Sequence, residues 1–139
     1  MSQRVYIAFK SEVMDASRMT EAIGMSPDKV RVRGSNRGDP PVPVCNSWEL
    51  HSSKLGLHVD EHIAELRRRC EPFTAEMAAL AASPDVSVVL EVVRYFNDEQ
   101  GEPDNGEGNS HQLLGWVLQP ADIQFLTALG AAIDVDEYS

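Results

Sequence analysis

Seven apolar side chains, Val59, Ile63, Leu66, Cys70, Phe73, Met77 and Leu80, recur at alternating spacings of four and three residues. A helix puts such a series on one face, and that face needs a broad apolar partner to cover it. Pro72 falls inside the series. Proline lacks the amide proton that a helix interior requires, and its ring crowds the preceding turn. The phase nevertheless survives across Pro72, which fits either a kinked helix or two helices meeting at Glu71 with Pro72 in the first turn of the second; the second is favoured, since proline is tolerated at that position. The stripe lasts only about three heptads, which fits helices lying on a sheet better than a coiled coil.

The segments on either side supply the sheet. Val5, Ile7 and Phe9 alternate with Tyr6 and Ala8, the period of a strand. Lys29 to Arg33 alternates strictly, which places Val30 and Val32 inward and three cations outward. Val44 to Ser52 carries a third strand around Trp48-Glu49-Leu50. Val86 to Phe96 is rich in valine on both faces, with Glu91 among them, as expected of a central strand. Leu113 to Leu118 reads as a further strand, and Ile133 and Val135 as the last one. Between the first two strands, Asp15 offers an N-cap oxygen to a short helix bearing Met19 and Ile23, with Gly24 as its stop. Pro120 opens and Gly130 ends the last helix.

Met19-Thr-Glu-Ala-Ile-Gly24 is echoed by Phe125-Leu-Thr-Ala-Leu-Gly130. Each copy follows an extended run, so two related halves are expected. The fold class that emerges is α+β: an antiparallel or mixed sheet with helices mainly on one face, arranged as a duplicated β-α-β of ferredoxin-like type. The 139 residues suit one domain. Asn97 to Asn109 is polar and rich in Gly, Pro and acids, and reads as a mobile acidic loop at the tip of a hairpin over about residues 97–110. Gly34 to Pro43 is a second loop.

Charge and composition narrow the function classes. Twenty-two acids against twelve bases give a net charge of −10, a surface that repels nucleic-acid backbones and suits a basic protein partner. No apolar run approaches the roughly 18 residues that span a bilayer, so no membrane association is expected. The alternating N-terminus does not read as a secretory signal. Two cysteines, Cys45 and Cys70, make no disulfide framework and point to a reducing, cytoplasmic setting.

Candidate chemistry is sparse. His58 and His62 stand one helical turn apart, a spacing able to hold a metal, but no third ligand occupies a recognisable offset. Surface histidines at a helix start are the plainer reading, and no metal or other cofactor is expected. Cys70 lies on the apolar stripe, where cysteine acts as a small hydrophobe. Asp134 and Asp136 share one face of a strand. Such a pair can do acid–base work, or form the solvated side of an edge strand with Arg31 or Arg33 across from it. The loop carries Asp98, Glu99, Glu102, Asp104 and Glu107 without the register of a calcium-binding loop. Trp48 is large and amphipathic enough to anchor an interface, although burial between sheet and helix is the commoner fate of such a residue. No phosphate-binding loop, dinucleotide fingerprint or nucleophile elbow is present, so no catalytic residue is assigned.

In order along the chain stand Ile23-Gly24 with Pro27, Gly38-Asp39, Trp48-Glu49-Leu50, the helical stretch broken at Pro72, the strand Val86 to Phe96, and Leu129 to Tyr138. This succession resembles the bacterial domain-of-unknown-function family DUF4279 over nearly the whole chain. Residues 97–109 have no counterpart in that pattern. The resemblance supports the fold and carries no catalytic residues across.

The expectation is therefore a small acidic cytoplasmic domain that works as a non-enzymatic protein-interaction module, in the manner of an immunity protein. Trp48, Asp98, Glu99, Glu102, Asp104, Glu107, Asp134 and Asp136 are the candidate partner-binding residues. The alternatives are an enzyme using Asp134 and Asp136, with His58 and His62, and a structural subunit. Either a monomer or a homodimer paired at strand edges is compatible with the sequence.

Overall fold

The computed structural model describes residues 2–53, 57–96 and 115–139. Its elements are β1 (Ser2–Ser11), α1 (Ala16–Ile23), β2 (Lys29–Arg31), β3 (Arg37–Gly38), β4 (Pro41–Val42), β5 (Asn46–His51), α2 (Val59–Cys70), a 3-10 turn (Glu71–Phe73), α3 (Thr74–Ala81), β6 (Ser87–Tyr95), α4 (Pro120–Ala128) and β7 (Ala132–Tyr138). Five strands form one sheet in the order β2-β5-β1-β6-β7, and β3 and β4 make a separate small hairpin inside the Gly34–Pro43 loop. All neighbours in the large sheet are antiparallel except β6 and β7, which run parallel.

The helices begin and end where local chemistry dictates. Asp15 Oδ1 accepts the Arg18 amide at 2.9 Å, satisfying one of the donors left over at the start of α1. Gly24 closes α1 at φ 79°, a left-handed conformation that costs glycine little. The Glu61 carboxylate accepts the His58 amide at 2.7 Å ahead of α2, and Asp122 accepts the Gln119 amide at 3.1 Å ahead of α4. The long helical stretch divides at Pro72, which lies in a single 3-10 turn between α2 and α3 rather than in the first turn of α3 itself.

The stripe packs as the spacing demands. Val59, Ile63, Leu66, Cys70, Met77 and Leu80 are buried, and Phe73 packs against the same cluster. They meet Val5, Ile7 and Phe9 of β1, Trp48 and Leu50 of β5, and Val88, Leu90 and Val92 of β6. α1 lies on β5, α2 on β1, and α4 on α2 and α3. Trp48 and Phe9 pack edge to face with ring centres 5.5 Å apart.

The duplication is real in form but not where the echo put it. β1-α1-β2 is one split β-α-β unit with β5 lying between its strands, and β5-α2-α3-β6 is the other, with β1 between its strands. Together they make the ferredoxin-like arrangement. The α4–β7 unit that echoes α1–β2 is an addition on the far edge. What the echoed segments share is local, a helix stopped by a left-handed glycine before an edge strand; Gly130 has φ 58°. Two details expected of the strands are corrected. Val30 and Val32 are exposed, because β2 is a three-residue edge strand beyond the reach of the helices. Of the strand expected over Leu113 to Leu118, residues 115–118 run towards α4 without forming one, and Leu113 and Leu114 lie outside the described residues.

Candidate functional site

The four helices of the described residues cover one side of the sheet, so strand periodicity assigns every second residue to the other side. The register arranges them in rows. His51, Tyr6, Glu91 and Asp134 form one row across four strands. Lys29, Glu49, Ala8, Val89 and Ala132 form the next. Arg31, Ser47, Lys10 and Ser87 flank it on one side, and Arg4, Val93 and Asp136 lie beyond the His51 row.

Two carboxylates on this face are buried. Glu49, 1% exposed, accepts from Ser47 Oγ at 2.7 Å, Arg31 Nε at 3.0 Å and His51 Nε2 at 2.9 Å. Burial alone raises its pKa, but the bonds from His51 and Ser47 and the charge of Arg31 outweigh it and hold the carboxyl down at about 2. Glu91 faces Lys10 Nζ at 3.3 Å. Tyr6 stacks on His51 at 4.5 Å, and burial, with Glu91 and Glu49 nearby, raises its phenol pKa. His51 is fixed from behind as well. Its amide donates to Asp28 Oδ2, its carbonyl accepts from Arg69, and Arg69 grips Asp28 with both terminal nitrogens. Burial raises the Asp28 pKa, yet the Arg69 and His51 bonds bring it below the usual carboxylate value.

Asp134 and Asp136 differ in kind. β7 is an edge strand and all seven of its residues are exposed. Among the described residues neither aspartate forms an ion pair. Arg31 and Arg33 cannot reach them, because β2 and β7 are opposite edges of the sheet. Arg31 bonds Glu49 instead, and Arg33 bonds the Glu12 carbonyl and Asn46. At the end of β7, Tyr138 stacks on Tyr95 with centres 5.0 Å apart.

The other sequence candidates scatter. Trp48 is fully buried on the helix side, with its indole N–H donating to Thr20 Oγ1 at 3.1 Å, so it is a core residue and presents no surface. Asp98, Glu99, Glu102, Asp104 and Glu107 lie outside the described residues, as does the hairpin tip assigned to that loop.

His62 is not the surface histidine expected at the start of α2. It is buried, with Nδ1 2.5 Å from Ser52 Oγ, while that hydroxyl donates to Glu65 Oε2 at 2.8 Å. The single hydroxyl proton is thereby used, so His62 Nδ1 must carry its own. Ser52 thus faces an N–H rather than a basic lone pair, the reverse of what activates a serine nucleophile. Burial lowers the His62 pKa and keeps the ring neutral. His58 instead lines a shallow hollow with Asp60, Glu61 and Gly115. Among the described residues, no three His, Cys, Asp or Glu side chains gather as a metal site. Burial raises the Cys70 thiol to about 12, which leaves it no thiolate near neutrality.

Residues 1–139 match the family described as "Domain of unknown function (DUF4279)". The chain belongs to the DUF4279 family. No curated protein and no solved structure shows significant similarity to it. The DUF4279 description assigns no chemistry, so the face of the sheet away from the helices has to be read from its own geometry. That face was legible only as polar residues alternating with apolar ones. Glu49 between Trp48 and Leu50, and Glu91 inside a valine run, were its available signals, because a carboxylate within a buried strand needs a cationic partner.

Proposed function

We propose that this DUF4279 chain is a non-enzymatic protein-interaction module of the bacterial cytoplasm, working in the manner of an immunity protein, and that it takes a basic protein partner along β7. One observation carries the reading. The carboxylates on the face away from the helices, Glu49 and Glu91, are each matched by a cation of the chain itself, whereas Asp134 and Asp136 are exposed on an edge strand without one among the described residues. Charge left uncompensated at an accessible edge, on a chain of net charge −10, speeds encounter with a basic surface. The enzymatic alternative has less support, since the two aspartates sit on β7 while His58 caps α2 and His62 lies within it, on the other side of the sheet.

The test is titration with an oligolysine peptide at about 50 mM and about 300 mM salt, read by fluorescence anisotropy. Binding should weaken by about tenfold or more at the higher salt, and D134N/D136N should weaken it at low salt. Absence of binding, or binding indifferent both to salt and to the double substitution, refutes the assignment.

A further inference from the structure

We infer that β7 is a docking edge for an extended segment of the partner, which adds to the sheet as a further strand and alternates cationic with apolar residues. This rests on the reading of β7 as the partner-binding edge and names the form the partner takes.

The backbone comes first. Among the described residues β7 pairs on one side only, with β6, so every second residue presents its amide and carbonyl outward. Proteins usually blunt such an edge by shortness, proline or lysine. β2, at the other edge, is three residues long and carries Lys29 and Arg31. β7 runs seven residues, Ala-Ile-Asp-Val-Asp-Glu-Tyr, with neither proline nor lysine.

The side chains then specify what would pair there. On the face away from the helices stand Asp134 and Asp136. On the helix side stand Ile133 and Val135, 40% and 41% exposed, although their neighbours one strand inward, Leu90 and Val92, are 1% and 0% exposed. Among the described residues, therefore, no helix closes the core along this edge, since α4 packs on α2 and α3. An incoming strand with Lys or Arg opposite the aspartates and Val, Ile or Leu opposite Ile133 and Val135 satisfies both sides at once. A second copy of this chain fits less well. Antiparallel self-pairing about Val135 would set Asp134 opposite Asp136 twice, placing like charges together.

The experiment compares an alternating Lys-Val peptide with one of the same composition in two blocks, using the full chain. The alternating peptide should bind about tenfold more tightly and slow hydrogen exchange at alternate β7 amides. I133S/V135S, at positions already exposed, should weaken its binding by about fivefold and leave block-peptide binding unchanged. Methylating one set of alternate peptide amides should abolish binding, and methylating the other set should not. Equal binding of both peptides with no β7 protection overturns strand addition while leaving a basic partner in place. Failure of both peptides and of oligolysine removes both readings. β7 protection that grows with protein concentration in the absence of peptide assigns the edge to self-pairing and also overturns the proposal.

Discussion

Replacing Glu49 with Gln should make stability less dependent on acid, because Glu49 is the described carboxylate most strongly held in its charged form. Its side chain is 1% exposed and receives three hydrogen bonds, which bring its pKa from 4.5 to about 2. At about 1.4 kcal/mol per pH unit, that drop corresponds to about 3 kcal/mol. Arg31 is 43% exposed, so water screens its share and about 2 kcal/mol is the working figure. A carboxyl whose pKa is depressed on folding contributes fully above the unfolded value and loses that contribution as pH falls through the folded one. The gap between wild type and E49Q should therefore be full above pH 4.5 and close towards pH 2. Urea unfolding at about pH 7 and about pH 3 measures it, with the carboxylates common to both proteins cancelling in the difference. A gap that stays constant across this range would show that the hydrogen bonds to Glu49 do not favour its charged form, and the argument would fail.

Gly24→Ala should cost about 1–2 kcal/mol, since φ is 79° and no neighbouring atom crowds the added methyl; Gly38→Ala, at ordinary φ, should be nearly neutral by the same thermal-melt assay. A thiol reagent at about pH 8 should modify Cys45 and leave Cys70 untouched until the chain unfolds. His62→Gln should remove an acid sensitivity of its own. A base whose pKa is lowered on folding costs stability as pH drops below 6.5, so wild type should lose stability there relative to the variant, with NMR titration of the ring reporting the depressed pKa.

The features legible in the sequence were those set by nearest neighbours. Asp15 as a cap, Gly24 and Gly130 as stops, the break at Pro72 and the buried stripe from Val59 to Leu80 all follow from dihedral preferences or a fixed spacing along one chain segment. Val30 and Val32 misled because alternation shows that a strand has two faces, not whether a helix covers one of them. His62 misled for a related reason. Its ring bonds Ser52, which belongs to a different part of the chain from α2. The face away from the helices was not legible because its parts lie far apart in sequence, as with Lys10 and Glu91, eighty-one residues from one another.

By itself, the sequence determined that helices bearing one apolar stripe would lie on a sheet, and where most of those helices would start and stop, since these depend on bond rotations and short repeats. Tertiary structure decided which strands are neighbours. That choice matched Glu49 and Glu91 to cations and put β2 and β7 at opposite edges, so that Asp134 and Asp136 stand apart from the arginines that alternation alone would have allowed them. The physical reason is that pairing energy between distant segments is a sum over many contacts, and no short stretch of chain encodes its partner.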